Sequence, residues 1–260
     1  MSKLTPPYPT PRALLQDKTV LVTAAAGTGI GFSVARRAAE EGAKVMISDI
    51  HERRLGEAVE ELTRITGVRP PSQLCNVASE AEVKGLWEAA EKELGHVDVL
   101  MNNAGLGGTA NLVDMTDEQW DRVIDITLTG TMRMTRAALR HMMPRGTGSI
   151  VNNASVVGWR AQAGQCHYAA AKAGVMALTR CSAIEAAEAG VRINAVSPSL
   201  AMHKFLAKVT TEELLNELTQ REAFGRAAEP FEVANVMIFL ASDLASYMTG
   251  EVLSVSSQHP

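Results

Sequence analysis

The sequence predicts a single α/β domain built on a doubly wound parallel sheet, and three observations carry that expectation. From Lys18 onward, short apolar runs alternate with longer segments of helical periodicity, the pattern of strands covered by helices on both faces. Glycines stand where several of those periodic segments should stop. The 260 residues, 46% hydrophobic and 21% charged, suit one globular unit with a large core, as open α/β folds of this size routinely are.

In chain order, Met1–Gln16 holds four prolines between Pro6 and Pro11 and reads as a flexible arm, leaving 17–260 as the folded domain. Seven runs read as strands: Thr19–Thr23, Lys44–Ser48, Gln73–Val77, Val97–Asn102, Ser149–Asn153, Arg192–Val196 and Val252–Val255. Between them, helices are expected over Gly31–Glu41, Glu52–Thr66, Glu80–Leu94, Asp117–Met143, Gln165–Ala189 and Phe231–Ser242, where apolar residues recur every three or four positions. Ser79 and Glu82 have the spacing of a capping box, and Gly42, Gly67, Gly95 and Gly190 mark helix ends. The connection Leu200–Phe224 carries a polar amphipathic helix, Thr211–Arg221. Ligands of doubly wound sheets lie beyond the carboxyl ends of the strands, so residues 200–224 are expected to form the lid or substrate wall.

Composition excludes several classes of function. With 25 Lys+Arg against 29 Asp+Glu, the net charge is −4, and no basic stripe offers itself to nucleic acid phosphates. Apolar stretches such as Val236–Ala241 are far shorter than the roughly 20 residues of a membrane span. The amino-terminal segment lacks the apolar run of a signal peptide, so a cytoplasmic location is expected. Cys75, Cys166 and Cys181 lack metal-ligand spacing and read as free thiols, with no metal site.

The first strand runs into Thr23-Ala24-Ala25-Ala26-Gly27-Thr28-Gly29-Ile30-Gly31, where a helix begins. Glycines there let backbone approach a pyrophosphate, whose charge is stabilised by the helix amino terminus. A glycine-rich turn serving only helix-to-strand packing would look the same. Asp49, 18 positions after Gly31 at the end of the second strand, adds a carboxylate placed to grip the adenosine ribose hydroxyls. It would repel a 2′-phosphate, so NAD is expected over NADP. Arg53 and Arg54 could receive such a phosphate or face solvent, and Asp49 could instead cap the following helix.

Tyr168 and Lys172 stand four residues apart on an expected helix, with Ser155 thirteen residues upstream of the tyrosine. Positions i and i+4 share a face, so the ammonium is expected beside the phenol. A phenol's pKa of about 10 would be drawn toward neutrality by that cation, at about 4 kcal/mol for three units. Tyr168 could then act as general base on an alcohol or general acid toward a carbonyl. Ser155, ending the fifth strand, could hydrogen-bond the same oxygen. An aromatic core residue with a surface lysine is the plainer alternative for the pair.

From Lys18 to Ser256 the chain resembles the short-chain dehydrogenase/reductase family. The Thr23–Gly31 loop, Asp49, Asn102-Asn103-Ala104-Gly105, Ser155, Tyr168, Lys172, Pro198, Phe239-Leu240-Ala241-Ser242 and Thr249-Gly250 carry that resemblance. It implies a Rossmann-type sheet, Ser/Tyr/Lys chemistry, and a homo-oligomer, usually a tetramer and otherwise a dimer. It also implies a nicotinamide cofactor touched by Thr23, Ala25, Gly27, Thr28, Gly29, Ile30, Gly31, Asp49, Asn76, Val77, Asn103, Ala104, Gly105, Tyr168, Lys172, Pro198 and Ala201. Some positions depart from the family pattern. Ala24 replaces the first glycine of the loop, Asn76 an aspartate beside adenine, Ser199 a glycine after Pro198, and His203 a threonine that meets the carboxamide. Thr127 replaces the asparagine of the family's catalytic tetrad; its backbone carbonyl keeps the expected role beside the lysine.

For the substrate, Trp159, Leu200, Met202, Phe205 and Leu206, with Cys166, suggest an apolar wall or simply pack, and His203 faces substrate, carboxamide or solvent. His203, Lys204 and Lys208 could meet an anionic tail such as coenzyme A phosphates, or form a solvated basic face. The runs Ala24–Gly29, Asn152–Ser155, Gly158-Trp159-Arg160 and Ser257–Pro260 are similar to members that oxidise a ring hydroxyl on a bicyclic indanone coenzyme A thioester in bacterial cholesterol breakdown. That implies a small-molecule substrate of this kind. A 3-oxoacyl-thioester reductase and a non-catalytic NAD-binding sensor are the alternatives.

Overall fold

Seven strands form one sheet in the computed structural model, which describes residues 6–202 and 212–257: β1 (Thr19–Val22), β2 (Lys44–Asp49), β3 (Ser72–Leu74), β4 (Val99–Asn102), β5 (Gly148–Asn153), β6 (Val191–Pro198) and β7 (Val252–Val255). All pair in parallel, in the order β3-β2-β1-β4-β5-β6-β7. The helices are α1 (Ile30–Glu40), α2 (Glu52–Thr66), α3 (Glu80–Leu94), α4 (Asp117–Ile124), α5 (Gly130–Arg145), α6 (Cys166–Ala187), α7 (Glu212–Arg221) and α8 (Pro230–Ala241). The expected doubly wound architecture is therefore present.

Alternation along the central strands explains the layering. Val20, Val22, Val45, Ile47, Val99, Met101 and Val151 join the core under α1, α2 and α8. Their neighbours Leu21, Met46, Leu100 and Ile150 join the opposite core, under α3, α5 and α6. Successive side chains of a strand point to opposite faces, so a run apolar at every position is what a sheet covered on both sides requires.

Three local expectations are corrected. The run Gln73–Val77 yields only Ser72–Leu74, an exposed edge strand, because Asn76 turns the chain: its Oδ1 accepts from Ala78 N at 3.0 Å and its carbonyl from Ser79 N at 2.9 Å. The capping box at Ser79 forms only its first half. The Ser79 hydroxyl accepts from Glu82 N, but the Glu82 carboxylate accepts from Asn76 N at 2.8 Å. The helix expected over Asp117–Met143 is split by a π-helical turn, Asp125–Thr129.

The arm expected over Met1–Gln16 is packed from Pro6 onward. The Tyr8 hydroxyl donates to Glu40 at 2.7 Å, its ring lies 5.0 Å from that of Phe231, and the Glu41 carboxylate accepts from Arg12 N and Leu14 N. Leu15 is wholly buried in the core beside α1. Prolines set the extended path, while Tyr8, Leu15 and the two glutamates hold it down. Among the described residues no helix is long and apolar enough to cross a membrane, and no group of three or more His, Cys, Asp or Glu is placed to hold a metal ion.

Candidate active site

Strand order reverses between β1 and β4, whose neighbours lead away in opposite directions. Helices leave the two strands on opposite faces there, which opens a crevice at the carboxyl ends. The Thr23–Gly31 loop lines one side and Asn103–Gly105 the other. Thr23 ties them: its Oγ1 accepts from Asn103 N at 3.0 Å and Ala104 N at 3.1 Å.

The loop has the shape of an anion cradle. Gly27 has φ +91° with open space where a side chain would project, and Gly29 caps α1 without a side-chain bond and with no acidic residue in the first turn. The first N–H groups of α1 and its dipole are thus left for a ligand. Ala24, in place of the usual glycine, is held at φ +49°, a left-handed conformation costly for a residue with a Cβ. A Cβ on Gly31 would lie 2.2 Å from Ala24 O and 2.5 Å from Asn103 Nδ2, so only glycine fits.

Asp49 is buried at the end of β2. One oxygen accepts from Ala26 N at 3.1 Å, the other from His51 N at 3.0 Å. Burial raises its pKa, opposed by the Ala26 N–H, the Arg54 charge and the Ile50 N–H. It does not cap α2, whose N-cap residue is His51, without a side-chain bond. The carboxylate braces the loop, and each oxygen keeps a lone pair free of these bonds. Asn76 Oδ1 accepts from Ala78 N and keeps a second lone pair, and the neighbouring Val77 is buried. These features fit a dinucleotide.

Ser155, Tyr168 and Lys172 converge at the ends of β5 and α6. A hydrogen bond with the Ser155 side chain lowers the Tyr168 pKa, but burial outweighs it and pushes the phenol up to about 12. Lys172 Nζ donates to the Asn153 carbonyl at 2.5 Å and lies 5.6 Å from the Tyr168 ring centroid, and burial pushes its pKa down to about 8. The expectation of a phenol drawn toward neutrality is therefore corrected for the chain by itself. The lysine sits on the tyrosine's face as its spacing requires, yet desolvation penalises both charged forms.

Two features of this corner were not read from the sequence. A Cβ on Gly158 would meet Ala173 N at 2.9 Å and the Lys172 carbonyl carbon at 3.0 Å, so glycine there lets the Ser155 turn press against α6. Thr127 is fully buried in the π-helical turn; its hydroxyl accepts from Leu106 N and donates to Leu106 O, both at 2.9 Å. Its carbonyl accepts from Thr131 Oγ1 at 2.7 Å. Thr127 thus pins the chain that leaves Gly105. Thr127→Val, which removes both Leu106 bonds, should lower unfolding free energy by about 1–3 kcal/mol, with Thr127→Ser nearer wild type; urea unfolding distinguishes them.

Of the expected substrate wall, Trp159 is half-exposed just beyond Ser155, and Cys166 is exposed at the start of α6. Leu200 and Ala201 are held by a short pairing with Ala228, beyond Pro198 at the end of β6. His203, Lys204, Phe205, Leu206 and Lys208 lie outside the described residues. Gln165 donates to Gly108 O at 2.8 Å, fixing the loop that faces Tyr168, and Ser257 binds the buried Glu222 carboxylate through Oγ at 2.7 Å.

Residues 24–257 match a family described as enoyl-(acyl carrier protein) reductase. The chain is 63% identical over 249 residues, 95% of each chain, to the (5R,7aS)-5-hydroxy-7a-methyl-1-oxo-2,3,5,6,7,7a-hexahydro-1H-indene-carboxyl-CoA reductase of Mycobacterium tuberculosis. It is 39% identical to a 3-oxoacyl-(acyl-carrier-protein) reductase of Thermotoga maritima, over 93% of this chain and 97% of the other. A crystal structure of a short chain dehydrogenase from Mycobacterium smegmatis superposes with a TM-score of 0.88 at 57% identity, covering 99% of both chains.

Proposed function

The chain belongs to the short-chain dehydrogenase/reductase family and is a nicotinamide-dependent oxidoreductase acting on a hydroxyl or keto group; we propose that its substrate is a hydroxylated bicyclic indanone coenzyme A thioester, or the matching ketone, and its cofactor NAD(H). The substrate reading is carried by the 63% identity, over 95% of both chains, to a reductase named for such a compound. The cofactor reading is carried by Asp49, whose carboxylate ends β2 beside the phosphate loop and meets a 2′-phosphate with like charge. Like-charge contacts of this kind discriminate by repulsion.

When bound, the nicotinamide supplies or accepts the hydride, and its oxidised ring carries a positive charge. In the chain's own terms, Tyr168 holds its proton at neutral pH, the state that protonates a ketone oxygen as the carbinol forms. Ser155 donates its hydroxyl to the same oxygen, from beside the phenol. Lys172 offers an ammonium whose protonated fraction falls as the pH rises through its lowered pKa of about 8. In the oxidising direction the phenol must first give up its proton, which the ammonium and any further positive charge in the crevice favour. Thr127 serves this site by fixing the Leu106 backbone, while Trp159, Cys166 and Leu200 supply the wall around the rings.

A coenzyme A thioester substrate supports a cytoplasmic location. The apolar groove between α5 and α6, lined by Met132, Leu139, Met143 and Leu178, supports assembly as a homo-oligomer, tetramer or dimer. Reduction of a linear 3-oxoacyl thioester is the second reading, favoured by the 39% identical relative. Initial rates with each ketone, under NADH and then NADPH, separate the two. The expected result is turnover of the indanone thioester with NADH preferred at least about tenfold in kcat/KM, or about 1.4 kcal/mol. Preference for the linear thioester with NADPH would overturn both parts.

A further inference from the structure

Asn153, the last residue of β5, joins the two halves of the crevice. Its carbonyl accepts from Lys172 Nζ at 2.5 Å, and its Nδ2 donates to Asn103 Oδ1 at 2.8 Å. Asn103 Nδ2 in turn donates to Ala24 O at 3.1 Å, with Thr23 O at 3.4 Å. Ala24 is the loop residue held at φ +49°, and its carbonyl is the atom nearest the space above Gly31. The remaining oxygen of Asn153, Oδ1, is buried with no partner. An asparagine left half-satisfied is a poor choice for stability alone. The hydrogen bond its side chain does make is to Asn103.

We infer that Asn153 is a positioning residue: its bridge to Asn103 clamps Ala24 in the left-handed conformation and so holds the phosphate loop in its dinucleotide-binding shape. A strained backbone conformation persists only where its surroundings over-determine it. Without the bridge, the Asn103 amide is free to rotate, Ala24 relaxes, and its carbonyl leaves the Gly31 turn. The inference rests on reading Thr23–Gly31 as the dinucleotide loop.

The test is NADH affinity, by fluorescence titration, for wild type, Asn153→Ala, Asn153→Ser and the double variant Asn153→Ala with Ala24→Gly. Serine is too short to reach Asn103, so it serves should the alanine variant fail to fold. Both single variants should raise Kd about tenfold. Adding Ala24→Gly should return Kd to within about threefold of wild type, because glycine adopts the left-handed conformation without strain. General loosening of β5 would not be repaired by a glycine in a distant loop. Single variants within twofold of wild type, or a tenfold loss that Ala24→Gly does not repair, would overturn the inference alone. Failure of wild type to bind NADH would overturn the loop reading with it.

Discussion

Tyr168→Phe should lower turnover by at least about 100-fold, the order general acid/base catalysis typically contributes, while NADH affinity stays near wild type. The substitution removes the proton that passes between Oη and the substrate oxygen and leaves the ring in place. Lys172 stays anchored to the Asn153 carbonyl, so the crevice keeps its shape. Ser155 alone can still polarise the oxygen, which accounts for residual activity. Steady-state kinetics paired with NADH titration separates the two effects. Near-normal turnover would remove Tyr168 from the chemistry.

Gly31→Ala should weaken dinucleotide binding at least about tenfold and destabilise the fold by about 1–3 kcal/mol, the usual cost of overpacking. The new Cβ would fall 2.2 Å from a backbone oxygen and 2.5 Å from Asn103 Nδ2. A side-chain amide can turn away, but the Ala24 carbonyl cannot move without unwinding the left-handed turn. Relief would therefore come from displacing the loop or the first turn of α1, both part of the anion cradle. Thermal melting with and without NADH reads both consequences, and an unchanged ligand-induced rise in Tm would contradict the account.

Much of this architecture is legible in the chain because it is periodic or local. The strands carry apolar residues on both faces, the helices repeat every three or four positions, and Gly67 and Gly95 take the positive φ that ends α2 and α3. The spacing of Tyr168 and Lys172 fixes their common face. The π-helical turn around Thr127 is hidden, because a widened turn keeps helical dihedrals and barely disturbs the pattern. The Asn103–Asn153 bridge is hidden for another reason: it joins residues 50 apart, whose meeting depends on the pairing of β4 with β5. The protonation of Tyr168 in the chain by itself is hidden, because spacing reports a shared helix face and not the burial that raises the phenol's pKa. Leu14 and Leu15, just after the prolines, are the apolar signal of a packed segment, and Leu15 is wholly buried.

Hydride transfer itself is the most direct test of the central claim. NADH deuterated at both C4 positions, incubated with the ketone of the bicyclic indanone coenzyme A thioester, should give a carbinol carrying one deuterium by mass spectrometry, and at least about 100-fold less of it with Tyr168→Phe over the same interval. A carbinol formed without deuterium, or no carbinol formed by wild type, would contradict the assignment of this crevice to nicotinamide-dependent reduction of that ring ketone.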